Sequence, residues 1–354
     1  MILHIFPYEK FTYDYIERIN RLFEKKEHLF WIYGNKELDE IKELQDENII
    51  YESSLESDKI KSTLKKRINE SDKVIVHSLF FGIFRLLFFV RLQKKNREKF
   101  FWNIWGADLY NEYWERKYSL KNRIREHIKK KFIKDLRAVG YIPGDYEFLL
   151  EHYKTNAKFY LASYTYDFFI PEVNLKEDDE IVNILLGNSA TEECQYEQII
   201  DLLTKYKNLP IRVICILSYP RSNVEYRKKI VEYGKDKLGE KFEPIVDFMS
   251  FEKYTELLAR IDIAIFNHNR QQALGNIASL LYLGKRVYIN PQNACKSYFE
   301  NIGAKVFSIE DFGCEDICKI DTSEMKNNNR KAIDKFFSDE QFKERWRKIF
   351  DEKY

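Results

Sequence analysis

Ile261-Asp-Ile-Ala-Ile-Phe266-Asn-His-Asn-Arg270-Gln-Gln-Ala-Leu-Gly275-Asn-Ile-Ala-Ser-Leu-Leu-Tyr-Leu-Gly284 is the stretch whose reading decides the fold. Ile261 to Phe266 is short, apolar and β-branched, the pattern of a strand buried on both faces of a parallel sheet. Asn267 to Asn276 is a polar loop carrying amides, His268, Arg270 and Gly275. Ile277 to Leu283 is apolar at helical spacing and ends at Gly284, a C-cap signal. Such a loop gathers free backbone N–H groups and the positive end of a helix dipole at one point, which attracts phosphate. Arg270 adds a fixed cation. Asn267, Gln271, Gln272 and Asn276 add donors and acceptors suited to sugar hydroxyls. A well-capped βα turn shares this outline, but polar groups this dense between two apolar elements point to a site.

Outward from this stretch the same alternation recurs. Ile181 to Leu186 reads as a buried strand, followed by the turn Gly187-Asn188-Ser189 and a helix through Ile199, Leu202 and Leu203. The turn permits close backbone approach, and its helix start again favours phosphate. Ile211 to Leu217 is a strand ending at Ser218-Tyr219-Pro220, Phe251 to Arg260 a helix, and Arg286 to Asn290 the next strand. In the first half, Ile2 to Phe6, His28 to Tyr33, Lys73 to His77, Phe100 to Trp105, Ala138 to Pro143 and Lys158 to Leu161 read as strands separated by helical patterns. This order predicts parallel α/β sheets with right-handed crossovers and ligands beyond the carboxyl ends of the strands. His77 falls at such an end. Asp108, just past Gly106, is either an N-cap or a carboxylate facing an interdomain cleft as a general base.

The chain has 354 residues, 44% of them hydrophobic and 33% charged, enough for two folded domains. Residues 1–165 form the first and 181–320 the second. The acidic stretch 166–180 joins them, and 321–354 is a helical segment whose Phe336, Phe337, Phe342, Trp346 and Phe350 can dock on the body. The formal net charge of +2 argues against a general nucleic-acid binder. Cys194, Cys215, Cys295, Cys314 and Cys318 are scattered, complete no zinc site, and read as reduced thiols of the cytoplasm. Met1 to Phe6 lacks a basic leader and reads as a strand, not a signal peptide.

Two segments suggest a membrane surface. Leu79 to Leu92 is apolar on nearly every side yet too short to span a bilayer, so it is either a core helix or an interfacial one. From Arg116 to Arg137 basic residues crowd around an apolar stripe of Ile124, Ile128, Phe132 and Leu136, a pattern that suits anionic lipid as well as a solvated helix face.

Four motifs, Trp105-Gly-Ala-Asp-Leu-Tyr110, Ile184-Leu-Leu-Gly-Asn-Ser189, Ser218-Tyr219-Pro220 with Tyr226, and Arg270-Gln-Gln-Ala-Leu-Gly275, follow one another in an order that resembles the bacterial 4-acetamido-4,6-dideoxygalactosyltransferases, glycosyltransferase family 56. The resemblance covers about residues 70 to 310. It implies two Rossmann-like domains facing a cleft, the GT-B type, with a C-terminal helix packing back on the body. It also implies a thymidine-diphosphate-linked N-acetylfucosamine-like donor, no metal or other cofactor, and a polyprenyl-diphosphate-linked saccharide acceptor at the cytoplasmic face of the inner membrane. Where the family's Gly-Asn-Ser motif is followed by an Asn and a His, this chain has Cys194 and Tyr196. On this reading Gly187, Asn188, Ser189, Tyr219, Asn267, His268, Arg270, Gln271, Gln272, Gly275 and Asn276 hold the donor. Arg270 and the helix start near Gly275 stabilise the leaving group, and Asp108, with His77 in reserve, activates the acceptor. A sugar-nucleotide 2-epimerase and a non-catalytic sugar-nucleotide-binding protein are the alternatives.

Overall fold

A computed structural model describes residues 1–9, 12–34, 46–55, 57–114, 120–162, 164, 180–218, 223–318 and 323–352, with the backbone alone at 111–114 and 323. It divides into two compact units, Met1–Thr165 with Phe337–Tyr354, and Tyr166–Phe336. The linker expected at 166–180 lies outside the described residues except for Glu180.

The first unit is built on seven strands: β1 (Ile2–Pro7), β2 (His28–Tyr33), β3 (Ile49–Glu52), β4 (Lys73–His77), β5 (Phe100–Asn103), β6 (Ala138–Tyr141) and β7 (Lys158–Leu161). They pair in parallel in the order β3-β2-β1-β4-β5-β6-β7. The second has six: β8 (Val182–Leu186), β9 (Ile211–Ile216), β10 (Phe242–Ile245), β11 (Ile263–Phe266), β12 (Arg286–Ile289) and β13 (Phe307–Ser308), in the order β10-β9-β8-β11-β12-β13. Central strands such as β4 and β8 are buried along their whole length, which explains why they are mostly apolar, with Lys73 and His77 at the ends of β4 and Asn183 inside β8 as buried polar exceptions. In each unit the strand order reverses once, between β1 and β4 and between β8 and β11, and a crevice opens where neighbouring chains leave in opposite directions.

The sequence reading needs four corrections here. Strand β11 starts at Ile263, because Ile261 closes the preceding Phe251–Arg260 helix. The apolar run from Leu79 is not one helix: 79–82 is irregular and the helix spans Ile83–Val90. The basic helix ends at Lys134 rather than Arg137, and its expected start at Arg116 lies outside the described residues. The segment 321–354 is not one body. The Ser323–Phe337 helix belongs, up to Phe336, to the second unit, and the Asp339–Asp351 helix to the first.

The Asp339–Asp351 helix seals one face of the first sheet. Phe342 and Trp346 are buried against Tyr15, and Phe350 meets the rings of His4 and His28. Arg18 grips Asp339 at 2.8 Å. The Lys73 ammonium, 276 positions before Ile349 in sequence, donates to the carbonyls of Ile349, Phe350 and Glu352 at the helix end, a favourable place for a cation.

Candidate active site

The chain leaves β8 through Gly187 and leaves β11 through Asn267, on the two sides of the reversal in the second sheet. Gly187 has φ +56°, and a Cβ there would run into the Tyr196 ring, so glycine is required. The two loops are tied together. Gln272 Nε2 donates to Asn188 Oδ1 and to Ser189 Oγ, both at 2.8 Å. Gln195 Nε2 donates to the Asn267 carbonyl at 2.8 Å, and Asn267 itself links Gln198 and Asn290 at 3.0 Å each.

Ala273, with φ +61°, turns the chain into the Leu274–Tyr282 helix without a side-chain cap. The N–H groups of its first turn, around Leu274, Gly275 and Asn276, therefore lack an intrahelical acceptor and a capping side chain. Around them several buried polar atoms have no hydrogen-bond partner among the described residues: Oδ1 of Asn269, Oε1 of Gln271 and of Gln272. His268 is fully buried against the Cys194 thiol, yet neither of its ring nitrogens completes a hydrogen bond of normal geometry. Unmet donors at a helix start and unmet acceptors beside them are what an anionic, hydroxyl-rich ligand would satisfy. Burial alone would push the Cys194 thiol up, but His268 and the hydroxyls of Thr191 and Ser189 bring it down to about 6.

Arg270 is placed differently from the expectation. Its side chain is buried and its Nε donates to Glu193 Oε1 at 3.1 Å, also buried. The cation is thus neutralised by a carboxylate 77 positions upstream, and it braces the loop rather than presenting an open charge. Nothing in the spacing of Glu193 from the Gly-Asn-Ser turn announced this pair. Tyr219 lies outside the described residues.

In the first unit, Asp108 stands in the first turn of the Ala107–Trp114 helix and is buried. Its Oδ2 accepts from the Leu79 N–H and Trp102 Nε1, both at 2.8 Å, and its Oδ1 from the Trp105 N–H at 2.9 Å. Burial raises its pKa against the lowering by these bonds. The carboxylate faces its own framework, so the picture of an open general base is corrected to that of an anchor. His77 is also fully buried. It lies in a chain that sequence reasoning missed: His28 Nδ1 to His4 Nε2 at 3.0 Å, His4 Nδ1 to His77 Nε2 at 3.3 Å, His77 Nδ1 to the Tyr164 hydroxyl at 2.7 Å, and Trp105 Nε1 to that hydroxyl at 2.6 Å. An indole only donates, so Tyr164 can pass its own hydrogen to His77, and each imidazole can donate to the next while neutral. Burial holds His4 and His77 well below the usual range and His28 at about 4. The signal was there: a single histidine sits inside the apolar run of β1 and one at an end of β2 and of β4. Beside this chain, the buried side chains of Ser78, at φ +69°, and Asn103 find no hydrogen-bond partner among the described residues. Among the described residues, no cluster of three or more His, Cys, Asp or Glu side chains could hold a metal ion.

Solved structures with this architecture run the length of the chain. A glycosyltransferase from Rickettsia africae ESF-5 matches at 16% identity and TM-score 0.69, covering 99% of this chain and 97% of that one. Anabaena Alr3699/HepE, solved in complex with UDP and glucose, matches at 10% identity and TM-score 0.67, covering 99% of each chain. WaaG, a glycosyltransferase involved in lipopolysaccharide biosynthesis, matches at 11% identity and TM-score 0.60 over 99% of each chain. Two doubly wound parallel sheets of this kind define a GT-B protein. Residues 15–353 match the family described as 4-alpha-L-fucosyltransferase, glycosyl transferase group 56, and the chain belongs to that family. It is a glycosyltransferase.

Proposed function

We propose that the protein transfers an N-acetylated deoxy-sugar, resembling N-acetylfucosamine, from a thymidine diphosphate donor to a saccharide carried on a polyprenyl diphosphate at the cytoplasmic membrane face, without a metal. The observation that carries this reading is the uncapped start of the Leu274–Tyr282 helix among buried, unmet amide and imidazole groups. The diphosphate is assigned to the N–H groups of Leu274, Gly275 and Asn276. The sugar hydroxyls and acetamido group fall to Gln271, Gln272 and Asn269, and Asn188 and Ser189 hold the opposite wall through Gln272. Membership of the family supports a sugar-transfer reaction, and the UDP and glucose bound by HepE support a nucleotide-sugar donor. With Arg270 paired to Glu193, leaving-group charge is met mainly by the helix start and its dipole. Asp108 acts as a positioning residue for Leu79 and Trp105.

The test is a panel of nucleoside diphosphate sugars scored by the shift of the unfolding midpoint and by product release. A saturating donor at about a hundred times Kd should stabilise the fold by about 2.7 kcal/mol. The thymidine-linked deoxyamino sugars should shift the midpoint most, and Gln272→Ala should weaken their binding about tenfold. Turnover should be unchanged in EDTA. A panel in which no nucleotide sugar shifts the midpoint would overturn the reading.

A further inference from the structure

The run from Leu79 to Leu92 is apolar apart from Arg85 and Arg91, on nearly every side, so its sequence could not say which side faces inward. The fold separates them. Leu79, Phe81, Leu86, Phe89 and Leu92 join the first unit's core, while Phe80 is 39% and Phe84 78% exposed. The Leu120–Lys134 helix splits in the same way. Ile128, Phe132 and Ile133 are buried, while Leu120 is 71% and Ile124 46% exposed. The two helices pack side by side through Phe89 and Phe132, whose ring centroids are 5.7 Å apart. Arg125 then staples their ends: its Nε donates to the Phe81 carbonyl at 2.6 Å and its terminal nitrogen to the Leu79 carbonyl at 3.2 Å. That staple ties the 79–81 stretch, which carries Phe80, to the helix that carries Leu120 and Ile124.

Charge follows the same geometry. Leu120, Ile124, His127, Lys131 and Lys134 fall on one face at helical spacing and are all exposed. Lys121, Arg123, Lys131 and Lys134 form no ion pair among the described residues, whereas Lys129 is buried against Glu126, the helix's sole acidic residue. The outer face thus begins with bulky apolar groups and continues as unopposed cations. Four apolar side chains fall far short of the roughly 20 residues a side of a stable protein interface. Nucleic acid would use the cations and leave Phe84 and Leu120 in water.

We propose that this face docks on a bilayer rich in anionic lipid, with Phe80, Phe84, Leu120 and Ile124 entering the headgroup boundary and Lys121, Arg123, Lys131 and Lys134 on lipid phosphates. The docking does not depend on which sugar is moved.

The experiment is co-sedimentation of the full chain with phosphatidylcholine vesicles, with and without phosphatidylglycerol, and with a DNA duplex as competitor. Wild type should bind the phosphatidylglycerol vesicles and be released by added salt. The double variants Phe84→Ser with Leu120→Ser, and Lys131→Glu with Lys134→Glu, should each bind about tenfold less or weaker still, with unchanged unfolding midpoints because all four side chains are exposed. Failure to bind either vesicle, equal binding by wild type and both variants, or duplex binding that displaces the vesicles and ignores the Phe84 and Leu120 changes would each overturn the proposal.

Discussion

At the carboxyl end of β4, polar side chains are mostly turned on one another: His77 is bonded on both ring nitrogens, and Asp108 accepts from three donors of its own unit. At the carboxyl end of β11, the first helical turn is uncapped and His268, Gln271 and Gln272 keep unmet atoms. The same topological position in two similar sheets is largely closed on itself in one, with Ser78 and Asn103 the exceptions among the described residues, and receptive in the other. Burial is nearly equal, so the difference lies in hydrogen-bond accounting, which separates structural polar groups from ligand-ready ones.

The sharpest break in this comparison is acid. His4, His28 and His77 are held neutral by burial, so the unfolded chain, titrating near 6.5, binds more protons than the folded one. Stability of the first unit is full above that value and falls as pH drops toward the folded values, about 4 for His28. The slope approaches about 1.4 kcal/mol per pH unit for each imidazole. All five tryptophans lie in the first unit, so their fluorescence reports it selectively during urea unfolding. A flat profile between pH 7 and about 5 would remove the three imidazoles from the stability of this unit.

Next comes Asp108→Ala, which strands three donors, two of them buried, and should destabilise the same fluorescence transition by about 3–5 kcal/mol. Asp108→Asn should lose less and keep most turnover, as expected of an anchor; a stable Asn variant with turnover abolished would restore it as a base. In the second unit, Gly187→Ala should destabilise by about 2–3 kcal/mol through its left-handed backbone and the Tyr196 ring, and should abolish the donor-induced shift. The smallest effect concerns Cys194. Its alkylation should rise with pH through a midpoint at about 6 and slow when donor is bound, read by mass spectrometry. Donor that leaves the rate unchanged would separate the thiol from the receptive loop.

Much of this was legible in the chain. Buried parallel strands leave short runs rich in apolar, often β-branched residues, and 181–186 and 73–77 were legible as strands on that ground. The two polar loops at 187–189 and 267–276 were legible because they interrupt apolar elements. Three things were not. The Arg270–Glu193 pair spans a separation that carries no local signal. An aspartate at a helix start looks the same in sequence whether it caps its own framework or faces a substrate. Apart from Arg85 and Arg91, the stretch from Leu79 to Leu92 is apolar without a period, so only packing could tell Phe84 from Phe89.

The return of the Asp339–Asp351 helix to the first sheet has a consequence for biogenesis. The nascent chain can finish its second unit while the first still shows bare aromatic rings of Tyr15, His4 and His28 to solvent. Only when residue 351 has cleared the ribosome can Trp346 and Phe350 cover them and Lys73 find its carbonyls. A stop codon near position 338 would therefore register as a defect in the amino-terminal half, with chaperone retention of a protein whose early residues are all intact.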